Sequence, residues 1–295
     1  MKSGYVSIVG RPNVGKSTLL NCILETHLAI TSNKAGTTRN IIEGIYEDED
    51  SQIIFVDTPG IHKPINKLGN ILNKKAYATS ENVDLILFLV DIEAGIGKGD
   101  MFVLEKLKEE NLPIILVLNK VDRVNKDKLL ELIMKYKDLY DFSEIFPISA
   151  LKNDNVNALI KTIKKYLPNE GKIFESDMFT NISTNFYISE IIREKVLRKT
   201  REEVPHSVTC VVEKRIDNKD KEIIQACIIV DRESIKKIIV GKNASMLKSI
   251  GMQARIDLEE YFGKKVYLEL FVKVIENWRE KEKYLKELGL DDLEN

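Results

Sequence analysis

The sequence predicts an α/β domain with a mostly parallel sheet and helices on both faces, followed by a smaller α+β domain. Three observations support this. In the first 167 residues, short β-branched runs alternate with longer amphipathic stretches, a pattern typical of a parallel sheet covered by helices. Turn residues interrupt the pattern at 167–171. Beyond that break the order changes to helix, two strands, two helices and strand.

Five strands are predicted for the first domain, with helices between them. The strands are residues 5–9, 52–56, 85–90, 114–118 and 144–148, and helical spacing is clearest at 101–110 and 128–140. In sheets of this kind, ligands bind beyond the carboxyl ends of the strands. The residues that directly follow each strand are therefore the candidates for a functional site.

The second domain is predicted to begin with a helix at 186–200. The strands that follow are 207–215 and 222–231, two short helices flank Gly241, and the last strand is 266–274. The charged residues 277–287 predict a short surface helix. The predicted division of the chain is a first domain (1–168), a linker (169–185), a second domain (186–276) and a carboxy-terminal tail (277–295).

The charge of the chain is almost balanced, with 45 basic and 46 acidic side chains and a formal charge of −1. This excludes a general attraction to nucleic acid or membranes, so any such binding requires a local patch. The longest apolar run, 85–90, is too short to cross a bilayer, and the first residues do not resemble a secretory signal. Cys22, Cys210 and Cys227 lack the spacing of metal ligands, which favours buried free thiols in a reducing cytosol. We therefore expect a cytoplasmic protein without a metal cluster.

Directly after the first predicted strand, a glycine-containing loop opens a helical stretch. Its residues are Gly10, Arg11, Pro12, Asn13, Val14, Gly15, Lys16, Ser17 and Thr18. The pattern G-x-x-x-x-G-K-S between a strand and a helix indicates a loop whose backbone N–H groups surround phosphates. We expect Lys16 to reach the β- and γ-phosphates and Ser17 to hold Mg²⁺.

Two further polar segments are suited to the same phosphates. Asp57, Thr58, Pro59 and Gly60 follow the strand at 52–56. There the carboxylate of Asp57 can hold Mg²⁺ through a water molecule, and the Gly60 N–H can meet the γ-phosphate. Thr37, Thr38 and Arg39 lie in a polar stretch after the first helix, where a mobile loop is expected.

The fourth and fifth predicted strands are followed by segments suited to a guanine base. Asn119, Lys120, Val121 and Asp122 follow the strand at 114–118, and Ser149 and Ala150 follow the last strand. A carboxylate at Asp122 can accept hydrogen bonds from guanine N1 and N2. Adenine lacks this pair of donors and would leave the carboxylate unpaired, so the site should reject it. The backbone N–H groups of Ser149 and Ala150 can meet guanine O6.

In their order along the chain, these segments resemble the guanine-nucleotide signature of the translation-factor-like GTPases. The resemblance implies a P-loop domain that binds and hydrolyses GTP. It also implies that Thr38 contacts Mg²⁺ and the γ-phosphate only in the triphosphate state, so that loss of this phosphate releases the loop. Hydrolysis of ATP is a poor alternative because of Asn119 and Asp122.

The residue after Gly60 bears on the rate of hydrolysis. Ras-type GTPases have a glutamine there that orients the attacking water, whereas this chain has Ile61. The catalytic candidates are then Lys16, Thr38, Gly60 and Asn13. Two compensations stay open: a potassium ion held beside the phosphates by Asn13, as in a subset of GTPases, or a group supplied by a binding partner. We expect slow intrinsic turnover.

The second domain carries a basic surface centred on a short loop. Six basic residues and one acid, Glu233, lie between Arg232 and Arg255, a local concentration suited to phosphates. The candidate RNA-binding residues are Lys236, Lys237, Gly241, Lys242, Asn243, Ala244 and Lys248. The loop and the element order resemble the type II KH domain, which binds single-stranded RNA. Ala244 departs from the glycine that usually ends this loop, and a left-handed backbone there would cost about 1 kcal/mol or more.

A GTPase domain followed directly by a type II KH domain resembles the Era family of bacterial ribosome-assembly GTPases. The similar stretches are 5–21, 57–64, 189–195, 203–208 and 268–274, while Gly36 replaces a glutamine that is common in the family. The resemblance implies binding of 16S ribosomal RNA near its 3′ end during assembly of the small ribosomal subunit. It also implies loose association with the inner face of the cell membrane, and we expect a monomer. The alternative is a GTPase whose second domain docks a protein or membrane surface and binds no nucleic acid.

Overall fold

The computed structural model describes residues 1–31, 37–61, 64, 66–80, 82–175, 178–201, 204–288 and 290. It separates into two compact units, residues 1–65 with 69–181, and residues 66–68 with 182–295. Each unit has its own sheet. Among the described residues, no helix combines the length and the apolar character needed to cross a membrane. Gly36 and parts of the similar stretches and the tail, namely 62–63, 203, 289 and 291–295, lie outside the described residues.

The first unit is built around a six-stranded sheet with the order β2-β3-β1-β4-β5-β6. The strands are β1 (Lys2–Val9), β2 (Ile42–Glu47), β3 (Ser51–Asp57), β4 (Leu85–Asp91), β5 (Ile114–Asn119) and β6 (Glu144–Pro147). The helices are α1 (Lys16–Leu24), α2 (Lys67–Ser80), α3 (Lys98–Leu107), α4 (Lys126–Lys137) and α5 (Val156–Ile163). Strands β2 and β3 pair antiparallel, and all other neighbours pair parallel. The predicted α/β fold with a mostly parallel sheet is confirmed.

The centre of this sheet is the most buried part of the unit. Strand β4 lies between β1 and β5, and its residues 85–90 are fully buried. A strand covered on both faces has a continuous apolar sequence, which is why this strand was visible in the sequence. The parallel strands β1, β3 and β5 end at one edge of the sheet, and the predicted nucleotide segments follow them there.

Strand β2 was not predicted. Gly44 interrupts its β-branched pattern, and glycine ordinarily weakens a strand. The structure explains the glycine, because a Cβ atom at this position would collide with Leu24 of helix α1 and lie 2.9 Å from Leu20 Cδ1. Helix α1 therefore packs directly on the backbone of β2.

Much of the segment predicted to be a linker is hydrogen-bonded to the first unit. The backbone N–H groups of Ile173 and Phe174 donate to Gln52 Oε1 at 2.8 and 2.9 Å. Ile45 N–H of β2 donates to the Phe179 carbonyl at 3.0 Å. The open edge of a sheet presents unpaired backbone groups that need a partner, and this segment supplies one. The compact first unit extends to Asn181 for this reason. The domain boundaries at 168 and 185 stay predictions from the sequence.

The second unit is an α+β fold with a three-stranded sheet in the order β7-β8-β9. Its helices are α6 (Thr184–Lys199), α7 (Glu233–Val240), α8 (Ser245–Phe262) and α9 (Glu282–Glu287), and its strands are β7 (Val208–Asp217), β8 (Lys221–Val230) and β9 (Lys265–Val274). Strands β7 and β8 pair antiparallel, and β8 and β9 pair parallel. The predicted order of elements is therefore confirmed.

Two details of the second unit differ from the predictions. Helix α8 has 18 residues and is not short, because Ile250, Ala254 and Leu258 give it a long buried stripe. The tail is not a plain surface helix, because Trp278 is fully buried and donates from Nε1 to the Ser207 carbonyl at 3.1 Å. A turn of 3-10 helix at Trp278–Glu280 precedes α9.

The three cysteines are free thiols. Cys210 and Cys227 are buried in the second unit, as predicted. The prediction of burial is wrong for Cys22, which is only partly buried. Cys22 lies on a face of α1 where its Sγ reaches the exposed loop residue Asn153 at 3.3 Å.

Candidate nucleotide site and nucleic-acid surface

The loop between β1 and α1 has the close approaches that its glycines predict. Gly15 has a left-handed backbone with φ 103°, and a Cβ atom there would collide with Asn119 Nδ2. A Cβ atom at Gly10 would collide with the Leu89 carbonyl oxygen of β4. The loop therefore curls tightly over the end of the sheet, and helix α1 begins directly after Gly15.

Lys16 lies inside this loop. Its Nζ donates to the carbonyl oxygens of Gly10 and Arg11, both at 3.1 Å. Burial lowers the pKa of Lys16 to about 8, against the attraction of Asp57. A bound phosphate would favour the charged form of the ammonium, so the site is suited to a polyphosphate.

Three side-chain oxygens meet beside the lysine. Ser17 Oγ donates to Asp57 Oδ2 at 2.7 Å and lies 3.0 Å from Thr38 Oγ1. Asp57 Oδ1 is buried without a hydrogen-bond partner in the described residues. Burial raises the pKa of Asp57 to about 6, although Lys16, Ser17 and Thr38 act in the opposite direction. Hard oxygen ligands around an unpaired carboxylate oxygen fit a magnesium ion.

The segment after Asp57 is held against the phosphate loop. Thr58 Oγ1 donates to the Ile8 carbonyl at 2.9 Å, and Ile61 N–H donates to the Gly10 carbonyl at 3.2 Å. A Cβ atom at Gly60 would lie 2.9 Å from the backbone of Pro12, so only glycine allows this approach. The segment Asp57, Thr58, Pro59 and Gly60 therefore lies against the predicted phosphate loop.

The side chain of Ile61 points into the core of the domain and not toward the predicted phosphate site. Its side chain is 1% exposed and belongs to the apolar core with Val9, Phe88 and Val103. An apolar side chain in the core cannot hydrogen-bond a water molecule at the phosphate. The structure thus has no counterpart of the Ras-type glutamine at this place in the chain.

The segments predicted for the base meet around Asn119. Asn119 Nδ2 donates to the Val14 carbonyl at 2.8 Å, and its Oδ1 accepts from Ala150 N–H at 3.0 Å. Ser149 Oγ donates to Asp122 Oδ1 at 2.6 Å. Lys120 Nζ donates to the Asn13 carbonyl at 3.1 Å. These contacts connect the phosphate loop with both predicted base-binding segments.

Two features of the base site differ from the arrangement that the sequence predicts for binding guanine. Asp122 is exposed, so a bound base would have to bury its carboxylate. The N–H groups predicted to meet guanine O6 already have acceptors, since Ser149 N–H donates to the Asp154 carbonyl at 3.1 Å and Ala150 N–H donates to Asn119. Guanine O6 would share these donors with the protein.

Two acidic residues at the site are not among those that the sequence predicts. Asp91 ends strand β4 and accepts from Lys120 Nζ at 2.5 Å, and its place at a strand end was the signal for it. Asp100 in α3 accepts from Arg11 Nε at 3.0 Å and from Gly97 N–H at 2.9 Å. Arg11, assigned to nucleotide binding by its place in the loop, is thus held at the start of α3.

Asn13 is the remaining loop residue with a predicted role. Its side chain is exposed and its backbone is left-handed, with φ 67°. It lies in the same loop as Lys16, where a ligand at the phosphates would be accessible to it. Thr18, the last residue assigned to the loop, lies in the first turn of α1.

The predicted RNA-binding loop joins α7 to α8 in the second unit. Gly241 has φ 70°, and a Cβ atom there would lie 2.8 Å from Met246 Cβ. Asn243 and Ala244 both have left-handed backbones, with φ 52° and 58°. Ala244 is therefore in the conformation that makes its departure from glycine costly.

The lysines of this loop and its helices are accessible. Lys237, Lys242 and Lys248 are exposed, and Lys236 is partly buried. Beside them Ile238 has an exposed fraction of 49%. Exposed cations next to an exposed apolar side chain suit a nucleic-acid backbone and an unstacked base.

Family models match both units. The model described as a 50S ribosome-binding GTPase matches residues 5–120, and a KH domain model matches residues 203–279. The chain is also similar to a structure of Era in complex with MgGDPNP and nucleotides 1506–1542 of 16S ribosomal RNA. The identity is 42%, the match covers 98% of this chain and 99% of that chain, and the TM-score is 0.96.

A second similar structure is an Aquifex aeolicus Era variant bound to GDP·AlF4⁻. Its identity is also 42%, with 98% of this chain and 99% of that chain covered and a TM-score of 0.95. These matches extend over both the GTPase domain and the KH domain. The chain therefore belongs to the Era family of GTPases, with a P-loop GTPase domain followed by a KH domain.

Proposed function

We propose that the chain is a GTP-driven switch that binds 16S ribosomal RNA near its 3′ end and assists assembly of the small ribosomal subunit and maturation of its RNA. One observation carries the proposal. A guanine-nucleotide site and a KH loop occur together in a chain 42% identical, over 98% of its length, to Era crystallised with both a GTP analogue and this RNA segment.

A magnesium ion belongs to the proposed active state. Ser17 and Thr38 would hold it by their hydroxyl groups and Asp57 through a water molecule, and the ion would neutralise charge on the β- and γ-phosphates. Lys16 contributes a second positive charge from inside the loop. Gly60 lies close to Pro12 of the phosphate loop because it has no Cβ atom. This approach would bring the backbone of its segment near the γ-phosphate.

Hydrolysis by this site is proposed to be slow. The buried Ile61 leaves the attacking water without a side-chain partner after Gly60. Two compensations remain: a potassium ion beside the phosphates, held by Asn13, or a group from the bound partner. In other GTPases an arginine finger raises the rate of GTP hydrolysis by about 10³–10⁵. The lack of an equivalent charge should therefore leave hydrolysis slow.

Thr38 is the proposed sensor of the nucleotide. Its hydroxyl lies 3.0 Å from Ser17 Oγ and 3.5 Å from Asp57 Oδ2, within the group of oxygens proposed to bind magnesium. Loss of the γ-phosphate would remove one of its contacts and release the loop. A shift from mostly off to mostly on requires about 5.5 kcal/mol of differential binding, so several contacts must change with Thr38.

The cellular setting is also part of the proposal. We place the protein in the cytoplasm as a monomer, loosely associated with the inner face of the cell membrane, on the basis of its family resemblance. Sedimentation of the purified chain and fractionation of cell membranes at low and high salt test these two points. A stable dimer, or a protein that resists salt extraction, would contradict them.

Crosslinking in cells tests the RNA partner. The protein is crosslinked to cellular RNA with either GDP or a nonhydrolysable GTP analogue present, and the bound RNA is sequenced. The proposal predicts enrichment of the 3′ end of 16S ribosomal RNA, strongest with the analogue. Recovery of no enriched RNA would favour the alternative in which the second domain docks a protein or membrane surface.

A further inference from the structure

The phosphate loop is joined to the first turn of helix α3 by an ion pair. Arg11 Nε donates to Asp100 Oδ1 at 3.0 Å. The aliphatic part of Arg11 lies against Gly99, where a Cβ atom would be 3.4 Å from Arg11 Cδ. The Asp100 side chain is 1% exposed and that of Arg11 is 26% exposed. The loop and the helix are therefore connected through a largely buried contact.

Asp100 has a fixed position. Its second oxygen, Oδ2, accepts a hydrogen bond from the Gly97 N–H at 2.9 Å, so both oxygens of the buried carboxylate are bonded. Burial raises the pKa of the Tyr136 hydroxyl in α4, and the charges of Asp100 and Arg11 act on it with opposite signs. The ion pair thus borders the apolar core that contains Tyr136, where charges are screened less than at the surface. Exposed ion pairs, in contrast, contribute little.

The backbone next to the Arg11 side chain meets the groups predicted to bind phosphate. Lys16 Nζ donates to the carbonyl oxygens of Gly10 and Arg11, both at 3.1 Å. A Cβ atom at Gly60 would lie 2.9 Å from Pro12, so Pro12 limits the position of the segment predicted to meet the γ-phosphate. This stretch of the loop therefore contacts α3 through the Arg11 side chain and the phosphate-binding groups through its backbone.

The guanidinium group of Arg11 is committed to this pair. Movement of Arg11 toward a phosphate would leave Asp100 as a buried charge without its cationic partner, which is strongly unfavourable. A role for Arg11 as a direct phosphate ligand, which its place in the loop predicts, therefore conflicts with the burial of Asp100. The geometry favours an indirect role, in which Arg11 determines where the backbone of the loop lies.

We propose that Arg11 and Asp100 are positioning residues for nucleotide binding. The ion pair holds the start of the phosphate loop in place, so that Lys16 and the backbone N–H groups of the loop are preorganised for the β-phosphate before GTP or GDP binds. Preorganisation lowers the cost of ordering these groups on binding, and its loss should appear chiefly as faster dissociation. The inference goes beyond the proposed function and rests only on the guanine-nucleotide site.

Asp100→Asn tests the proposal with little change of shape. Asparagine keeps an acceptor for the Gly97 N–H but loses the charge that holds Arg11, which is exposed enough to be hydrated. A fluorescent GDP analogue is bound to the full chain with Mg²⁺ and displaced by excess GDP, and its dissociation rate is followed by fluorescence. Because hydrogen bonds between charged groups are the strong ones, dissociation should be about tenfold faster than from the wild type. An unchanged or slower rate in the folded variant would overturn the proposal.

Adding Arg11→Met to Asp100→Asn separates an indirect role of the arginine from a direct one. If Arg11 acts only through Asp100, the double variant should release the GDP analogue within about threefold of the rate of the single variant, since the effects of residues that share one contact are not additive. A larger acceleration would show that Arg11 itself touches the nucleotide, which contradicts the positioning role. The double variant leaves neither member of the ion pair as an unpaired buried charge, so it should fold.

Lys164→Met is the matched control. Lys164 Nζ donates to Asp48 Oδ2 at 2.5 Å and to Asp50 Oδ1 at 2.6 Å, at the turn between β2 and β3 of the same unit. The variant should melt at a lower temperature but release the GDP analogue at the wild-type rate. If it releases the analogue as fast as Asp100→Asn does, loss of stability alone explains both rates and the proposal fails.

Thermal melting and wild-type binding complete the experiment. Melting curves show that each variant is folded at the temperature of the kinetic measurement. A wild type that binds neither GTP nor GDP would contradict the nucleotide site itself. Equal dissociation rates from the wild type and from Asp100→Asn would contradict only the positioning role of the ion pair.

Discussion

Asn119 at the end of β5 donates a hydrogen bond from its Nδ2 to the carbonyl oxygen of Val14 in the phosphate loop, at 2.8 Å. The same side chain accepts from Ala150 N–H after β6. One amide group therefore connects the phosphate loop to a base-binding segment. The fit is tight, because Gly15 lies so close that a Cβ atom would collide with Asn119 Nδ2.

Replacing Asn119 by alanine should weaken GTP binding sharply. The change leaves the buried Val14 carbonyl and Ala150 N–H without these partners, and each unsatisfied group costs about 1–3 kcal/mol. We expect GTP affinity to fall by one to three orders of magnitude, measured by titration with a fluorescent GTP analogue.

Asn125→Ala serves as the control for this prediction. Asn125 Oδ1 accepts from Lys128 N–H at the start of α4, and loss of such a cap costs about 1 kcal/mol of stability. The control variant should melt at a lower temperature but bind GTP like the wild type. Equal GTP affinity of Asn119→Ala and the wild type would contradict the role given to Asn119.

Replacing Ala244 by glycine should stabilise the second domain and tighten RNA binding. Ala244 has φ 58°, a conformation that costs a residue with a Cβ atom about 1–2 kcal/mol. Glycine removes this cost and is the usual residue at the end of a KH loop. Chemical denaturation and RNA titration measure the two effects.

Gly263→Ala is the matched control for Ala244→Gly. Gly263 ends α8 with φ 63°, and no atom lies within 4 Å of a Cβ built there. The alanine should therefore lower stability by about 1 kcal/mol through the same backbone penalty. If both changes moved stability in the same direction, the account of Ala244 would be wrong.

The sequence predicts the residues of the local motifs, but it does not predict which other residues contact them. Gly15, Lys16 and Asp57 are recognisable because phosphate chemistry fixes their spacing along the chain. Asp91 lay outside those spacings, since its contact with Lys120 depends on how β4 and β5 align. A sequence pattern carries no direct information on such alignment.

Two elements of the fold leave little trace in the sequence. Strand β2 was hidden because Gly44 serves the packing of α1 and not the strand itself. Residues 173–174 and 179 lie in a predicted linker because their hydrogen bonds to the first unit are made by backbone groups, which leave no pattern of side chains in the sequence.

Potassium should accelerate GTP hydrolysis if Asn13 holds a cation beside the phosphates. Turnover in potassium and sodium buffers of equal ionic strength should then differ by about tenfold or more, because a stabilising cation replaces an arginine finger worth about 10³–10⁵. Asn13→Gly, which keeps the left-handed backbone accessible, should abolish the difference. Equal rates in both buffers would remove the potassium proposal and leave a partner-supplied group.

Reversing the charge of Lys242 and Lys248 together should weaken RNA binding and leave GTP hydrolysis unchanged. Both lysines are exposed beside the KH loop, and a variant that binds fewer phosphates should also show a weaker salt dependence of RNA affinity. The same reversal at Lys219 and Lys221, at the β7–β8 turn, is the control and should have a smaller effect. Full RNA affinity in the Lys242 and Lys248 variant would show that another surface binds RNA.

The central claim is that the nucleotide controls RNA binding. The most direct test measures the affinity of the full chain for the 3′-terminal segment of 16S ribosomal RNA, with Mg²⁺ and either GDP or a nonhydrolysable GTP analogue, over a series of salt concentrations. The account predicts tighter binding with the analogue and an affinity that falls steeply with salt for both nucleotides. Equal affinity in the two nucleotide states would contradict the switch.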